Sequence, residues 1–202
     1  MVRVLGPDHP ETLTARNNLA HWRGHAGDAA GAAAAFADLL EHAVRVLGPD
    51  HPDTLTARSN LAHWRGHAGD AAGAAAAFAD LLEHAVRVLG PDHPDTLTAR
   101  SNLAHWRGHA GDAAGAAAAF ADLLEHTIRV LGPDHPHTLA TRSNLADWRG
   151  EAGDAAGAAA AFADLLEHMV RVLGPDHPYT LTTRNNLARW QQQCAVNSGS
   201  AG

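Results

Sequence analysis

The sequence predicts an all-α fold, a solenoid of stacked antiparallel helix pairs, and three observations carry that reading. The chain repeats every 42 residues, and Ala43–His84 and Ala85–His126 are identical at all 42 positions. Each copy holds two runs whose apolar residues recur at three- and four-residue spacing, the period of a helix with one buried face. Glycine and proline stand at the same places between those runs in every copy, where they stop one helix and start the next. A period in this range marks an array in which no copy buries its apolar face alone and each stacks on its neighbours. The copies occupy 1–42, 43–84, 85–126 and 127–168, with a partial copy at 169–193, and are read as one repeat domain. A tail at 194–202 is expected to be disordered, Asn197 to Gly202 above all.

Within the second copy, Gly48-Pro49-Asp50-His51-Pro52 is a turn. Pro52 suits the first helical position, where a missing N–H costs nothing. Helix A is expected from about Pro52 to Gly66, with Leu55, Arg58, Leu61, Ala62 and Arg65 on one side. Gly69 ends the connection, and Asp70 is placed to cap helix B by accepting from unpaired N–H groups of its first turn. Helix B follows from about Ala71 to Leu89, with Ala74, Phe78, Leu81, Leu82, Ala85, Val88 and Leu89 as its apolar stripe. Gly90-Pro91 stops it. The run Ala74–Ala77 reads as packing surface, because small residues facing Phe and Leu let two helices approach closely.

Composition narrows the function. The net charge of -7 makes nucleic acid and an anionic membrane surface unnatural partners. The 16 histidines carry that charge toward zero and then past it as pH drops through about 6.5, so solubility is expected to depend on pH. A lone cysteine, Cys194, excludes an internal disulfide. No apolar run reaches the roughly 20 residues of a membrane span, and Met1–Leu5 is no signal sequence; the expected location is cytoplasmic. All 15 basic residues are arginine, and with the abundance of alanine this suggests a GC-rich, actinobacterial genome.

A helix pair carrying Asn60-Leu61-Ala62, then Gly69, Ala74 and Phe78, resembles the tetratricopeptide repeat. The turn Leu89-Gly90-Pro91-Asp92-His93-Pro94 resembles the 42-residue variety found in kinesin light chain and in many actinobacterial proteins, and the likeness covers about residues 1 to 193. The resemblance implies a right-handed superhelix whose A helices line a concave groove that binds extended or helical peptides. The sequence departs from the family where Arg65 replaces an aromatic residue and Arg58 an apolar one; Trp64 stands one place earlier. Trp64 is expected to fill the space between adjacent A helices, with an arginine stacked on its indole.

Differences between the copies point to a face. The fourth copy differs from the third at Thr127, Ile128, His137, Ala140, Thr141, Asp147 and Glu151, while the first and fifth differ at Glu11, Asn17, Tyr179, Thr183, Asn185, Arg189 and Gln193 among others. At about 100° per residue, positions 137, 140, 143, 147 and 151 form one stripe opposite Leu139, Leu145 and Ala146. The resemblance places a peptide-clamping asparagine on this stripe, at Asn17 and Asn185, with Ser59, Ser101 and Ser143 at the same register. Serine lacks the paired donor and acceptor of an amide. The candidate groove therefore comprises Asn17, His21, His25, Ser59, Asn60, His63, His67, Ser101, Asn102, His105, His109, Ser143, Asn144, Asp147, Glu151 and Asn185. The rival explanation is that the stripe varies merely because it is exposed; against it, exposed helix-B positions such as Asp80 and Glu83 stay the same in all four full copies.

The pairs His21/His25, His63/His67 and His105/His109 have the i,i+4 spacing of a metal chelate, but no third ligand is fixed in sequence, so no metal site is assigned. His51 reads as a turn or cap residue. With no phosphate loop, no serine elbow and no isolated carboxylate pair, neither an enzyme nor a cofactor is expected. The leading expectation is a protein-interaction scaffold for a peptide or partner helix. Its rivals are an array that stacks end to end on itself and a sensor segment of a larger signalling ATPase. Met1–Leu5 matches only the tail of a helix B and Leu181–Gln193 a helix A without its partner, as in a segment cut from a longer array. Leu181, Leu187 and Trp190 are then expected to lie uncovered, making weak head-to-tail association available, while the polar Gln191-Gln192-Gln193 ending suits a terminal cap.

Overall fold

The computed structural model describes residues 5–199, and every regular element among them is helical. The helices are α1 (Pro10–His25), α2 (Ala29–Leu47), α3 (Pro52–His67), α4 (Ala71–Leu89), α5 (Pro94–His109), α6 (Ala113–Leu131), α7 (Pro136–Glu151), α8 (Ala155–Leu173) and α9 (Pro178–Gly199). Odd-numbered helices are the A helices and even-numbered ones the B helices. Helix A runs to His67, one residue beyond expectation, and helix B keeps its expected bounds. Residues 194–199, expected to be disordered, instead continue α9. Residues 1–4 and 200–202, part of the expected helix-B tail and of the expected disordered tail, lie outside the described residues. The chain divides into two compact units, Met1–Trp106 and Arg107–Gly202, and each is described by itself.

Each copy folds for local reasons. The His51 ring accepts from the Asp53 N–H at 3.2 Å and caps α3, whose first residue is Pro52. The Asp70 carboxylate accepts from the Gly73 N–H at 2.8 Å and caps α4. Between the helices, Gly69 adopts φ +104°, a left-handed conformation that favours glycine. The turn ahead of an A helix is then tied to the end of the B helix of the same copy: Asp50 meets His84 at 2.7 Å and Asp134 meets His168 at 2.7 Å. In the first copy Asp8 meets both His42 (3.0 Å) and Arg45 (2.6 Å). Hydrogen bonds from Arg45, then from His42, hold the Asp8 carboxyl below its usual range. An antiparallel pair brings those two ends together, so each clasp closes one copy.

The core is the B-helix stripe. Ala74, Phe78, Leu81 and Ala85 are buried, as are their counterparts in the other copies, and Phe36, Phe78, Phe120 and Phe162 are fully enclosed. Val88 departs from expectation and is exposed. It projects at the margin of the stripe. The A helices are buried on more sides than their periodicity suggests. Thr54, Leu55, Ala57, Leu61, Ala62, Trp64 and Gly66 are all covered in α3, because α3 packs against α1, α2 and α4 together. In the other unit α7 packs likewise against α6, α8 and α9.

Trp64 fills the space between adjacent A helices as expected, and its seat is a glycine. A Cβ on Gly24 would lie 2.4 Å from the Trp64 ring, and one on Gly66 would lie 2.4 Å from Trp106. In the second unit Gly108 receives Trp148 and Gly150 receives Trp190 in the same way. The arginine stack is found at Arg189, whose guanidinium lies 4.6 Å from the Trp190 ring centre. At Trp64 the ring neighbours are histidines instead: His21 at 6.2 Å, His25 at 5.4 Å, His63 at 5.1 Å and His67 at 5.6 Å. Arg23, next to the Gly24 seat of Trp64, pairs instead with Asp28 at 2.5 Å.

Replacing a helical glycine by alanine ordinarily favours the helix by about 1 kcal/mol. At Gly66 the opposite is expected, because the added carbon overlaps an indole fixed on both sides: Gly66→Ala should lose about 1–3 kcal/mol of stability in guanidinium unfolding. A neutral or stabilising result would show that the indole shifts without cost.

Candidate functional site

The residues of the A-helix stripe are not equivalent. Asn17, Ser59, Asn60, Ser101, Asn102, Ser143 and Asn144 are half-buried, whereas His21, His25, His67, His109, Glu151 and Asn185 are exposed. The first two copies are bridged here, since the Asn60 side-chain amide donates to Asn17 Oδ1 at 3.2 Å. Asn17 in turn lies 3.5 Å from Asn18. The residue matched to a peptide clamp by resemblance thus already makes a contact between copies, a role that sequence alone did not reveal.

The histidine pairs flank the glycine seats. His21 Nε2 and His25 Nε2 are 3.0 Å apart, and the His63 and His67 rings are centred 4.4 Å apart. Each pair presents ring edges to the tryptophan of the following copy: His63 to Trp106 at 6.2 Å and His67 to Trp106 at 5.3 Å, both near perpendicular. His105 meets Trp106 at 5.2 Å, and His109 meets Trp148 at 5.2 Å. Among the described residues no group of three or more His, Cys, Asp or Glu is placed to hold a metal ion.

In the fourth copy, Asp147 and Glu151 stand where other copies have the histidine pair, and Arg189 stands at the same register in the fifth. The structure joins these substitutions. Arg189 is bonded to Asp147 and lies 3.6 Å from Glu151, while the Trp190 indole N–H donates to Asp147 Oδ1 at 2.9 Å. The variation read as a mark of ligand choice is, at Asp147 and Glu151, a matched ion pair between α7 and α9. Two other substitutions are internal as well. Thr127 and Thr141 are buried and donate to the backbone carbonyls of Leu124 (3.1 Å) and His137 (2.8 Å).

A recurring dimple lies beside the stripe. One hollow of about 210 Å³ is floored by Leu13, Leu39, Ala43 and Leu47 and rimmed by Thr14, Asn17, Asp53 and Thr56. The equivalent hollow of the next copy, about 120 Å³, is floored by Leu55, Leu81, Ala85 and Leu89 and rimmed by Thr56, Ser59, Asn60, Asp95 and Thr98. Both are smaller than the roughly 300–1,000 Å³ of small-molecule sites. Each has the scale of a seat for one side chain. No sequence pattern announced them, because each needs three helices, A and B of one copy and A of the next.

At the carboxyl end, Trp190 is buried at 5% exposure and Leu187 is packed into the core of its unit, contrary to the expectation that both lie uncovered. They face back toward α7 and α8. Leu181 does remain exposed, at 42% against 8% for Leu55. At the amino end Leu19 and Trp22 are the exposed pair. No described helix is long and apolar enough to cross a membrane.

A stack of near-identical helix pairs, joined through their first helices and offering side-chain-sized hollows, defines a helical repeat protein of the solenoid class. The tetratricopeptide repeat pattern matches residues 17–85, 56–126 and 99–169, and the chain belongs to that family. Among solved structures it is similar to a Podosopora anserina protein of nearly identical TPR-like repeats assigned as a kinesin light chain. The identity is 21% over 96% of this chain and 92% of that one, with a TM-score of 0.75. A point variant of that protein superposes at a TM-score of 0.77, with 21% identity over 96% of this chain and 91% of that one. BtubC (BKLC) from P. vanneervenii is similar at 20% identity over 92% of this chain and 74% of its own, TM-score 0.73. No curated protein matches.

Two expectations follow. Burial first, then the charges of His67, His21 and His25, lower the His63 pKa from 6.5 to about 4. The fold favours the neutral ring, so its contribution to stability is complete above pH 6.5 and is lost as pH falls toward 4. His137 is lowered for the same first reason, with His135 adding to it, and acts in the same direction. Unfolding midpoints should thus be flat above about pH 6.5 and drop below it, and His63→Gln should make that drop shallower; an unchanged profile would refute the assignment. At the other end of the stripe, Asp147→Ala leaves the Trp190 N–H without its acceptor and should cost about 1–3 kcal/mol. Adding Arg189→Ala should cost little more, because the two residues act as one unit.

Proposed function

We propose that this chain is a protein-interaction scaffold that holds an extended segment of a partner along its A helices. Tetratricopeptide proteins generally mediate contacts between proteins, and the carrying observation here is the same dimple in successive copies, each rimmed by residues of the A-helix stripe. In this reading Asn17, Ser59, Asn60, Ser101, Asn102, Ser143, Asn144 and Asn185 offer polar contacts to the partner backbone, the apolar hollows take its side chains, and Asp53 and Asp95 favour basic residues beside them. The exposed members of the histidine pairs, His21, His25, His67 and His109, extend the same face.

Geometry sets the spacing of the ligand. Packed helices lie about 8–10 Å apart, and an extended chain advances about 3.3 Å per residue, so hollows one copy apart match every third residue. A helical ligand repeats its face at other intervals. Selection from a displayed library of random linear peptides should enrich sequences with a small apolar residue at every third position. Their capture should be abolished by Ser59→Glu with Ser101→Glu, which alters a rim and its counterpart, while Asp80→Asn on the helix-B side should be silent. Surface changes of this kind shift stability by no more than about 0.5 kcal/mol, so lost capture with an unaltered melt would locate the site. Equal loss from both sets of changes would remove it.

A further inference from the structure

In the first two copies the histidine pair of the A helix is held in a defined posture by the indoles packed around it. His21 and His25 stand 6.2 and 5.4 Å from Trp64 by ring centres, at 75° and 90° to its plane, and their Nε2 atoms face each other at 3.0 Å. His63 and His67 stand against Trp64, at 5.1 and 5.6 Å, and also against Trp106, at 6.2 and 5.3 Å. The two pairs are built alike: ring centres lie 4.4 Å apart in each, with planes at 70° and 65°. On an isolated helix such rings sample several rotamers. Here tertiary packing has already restricted them, which removes part of the entropic cost of holding anything between them.

Two imidazoles bound to one metal ion at about 2.0–2.1 Å place their nitrogens about 3.0 Å apart for a right-angled bite and about 3.4 Å apart for a tetrahedral one. His21 and His25 already meet the first spacing. We propose that His21 with His25, and His63 with His67, are two-point chelates for a divalent transition-metal ion that favours imidazole, copper(II) foremost, with water in the remaining positions. A proton now joins the Nε2 atoms of His21 and His25. The ion takes its place, and that ring carries its proton on Nδ1 instead, because the ligating imidazole is neutral. Burial lowers the His63 pKa to about 4 and so keeps that ring in the ligating form at neutral pH. The nearby arginine does not oppose the ion, since Arg23 is paired with Asp28, and the net charge of -7 favours a cation. At the same register of the fourth copy, Asp147 and Glu151 are met by a cation that the protein itself supplies, Arg189. The clasp histidines are unlike the pairs: His84 has Asp50 beside Nε2 at 2.7 Å and the Arg87 guanidinium beside Nδ1 at 2.8 Å, so both nitrogens are engaged next to a positive charge.

The chelates need no partner chain, so their test is independent of peptide capture. It combines calorimetric titration of the whole chain with cobalt, nickel, copper(II), zinc and magnesium salts and electron paramagnetic resonance of the copper complex. Affinity should rise from cobalt through nickel to copper and fall again at zinc, magnesium should not be taken up, and the copper signal should carry the hyperfine pattern of two nitrogen ligands. His21→Gln with His25→Gln, and His63→Gln with His67→Gln, should each remove one bound copper ion, whereas His84→Gln should remove none. His67→Gln alone leaves a single imidazole and should weaken that site on the order of 100-fold, the advantage of a linked second ligand. Circular dichroism of each variant confirms that it is folded. A copper count unchanged by one or both double substitutions, a loss from His84→Gln equal to theirs, or magnesium bound as tightly as copper would each overturn the inference.

Discussion

The interaction on which the rest of this structure depends is an indole lying flat against a helix that has no side chain at that point. Seating Trp64 on Gly24 brings two A helices close enough for Leu61 to be covered and for Asn60 to reach Asn17. The B helices supply more apolar area, with a fully buried phenylalanine in each copy, but apolar area is not directional. The seat is. It fixes which residue of one copy meets which residue of the next, and with it the places where hollows open.

The histidine pairs belong to the same arrangement. Being i,i+4 on either side of a glycine, they frame the indole with their ring edges, an orientation favoured by the electron-rich face and electron-poor rim of aromatic rings. Burial in this packing disfavours the charged imidazole, and the neighbouring histidines add to that, which lowers the His63 pKa well below its usual range. The i,i+4 spacing read as a possible chelate also sets both rings against the indole of the following copy. In the fourth and fifth copies Asp147, Glu151 and Arg189 replace that frame with a charged one, and the Trp190 N–H gains an acceptor. A charged frame selects its partner by sign, so α9 is matched to α7 more specifically than the identical middle copies are matched to each other.

Variation between copies therefore has three sources that the sequence does not separate. Thr141 is buried and satisfied by its own helix, Asp147 is paired across an interface, and Ala140 faces outward. Only the last kind lies open to solvent. The Ser59 and Ser101 register and the Thr56 and Thr98 rim remain open beside the hollows, so they are positions where a side chain can be changed without disturbing the stack.

The sequence by itself determined the helices, their caps and their pairing, because those depend on contacts within a few residues: His51 and Asp70 at the N-caps, Gly69 at a positive φ, and an apolar stripe through Phe78 and Leu81. It also marked Trp64 as the filler between copies. Tertiary structure decided what depends on residues in different copies, about one repeat apart. That Gly66 is a seat, that Asn60 reaches Asn17, that Arg189 answers Asp147, and that three helices enclose a hollow are facts of helix-to-helix distance and rotation, and no periodicity along one chain encodes either.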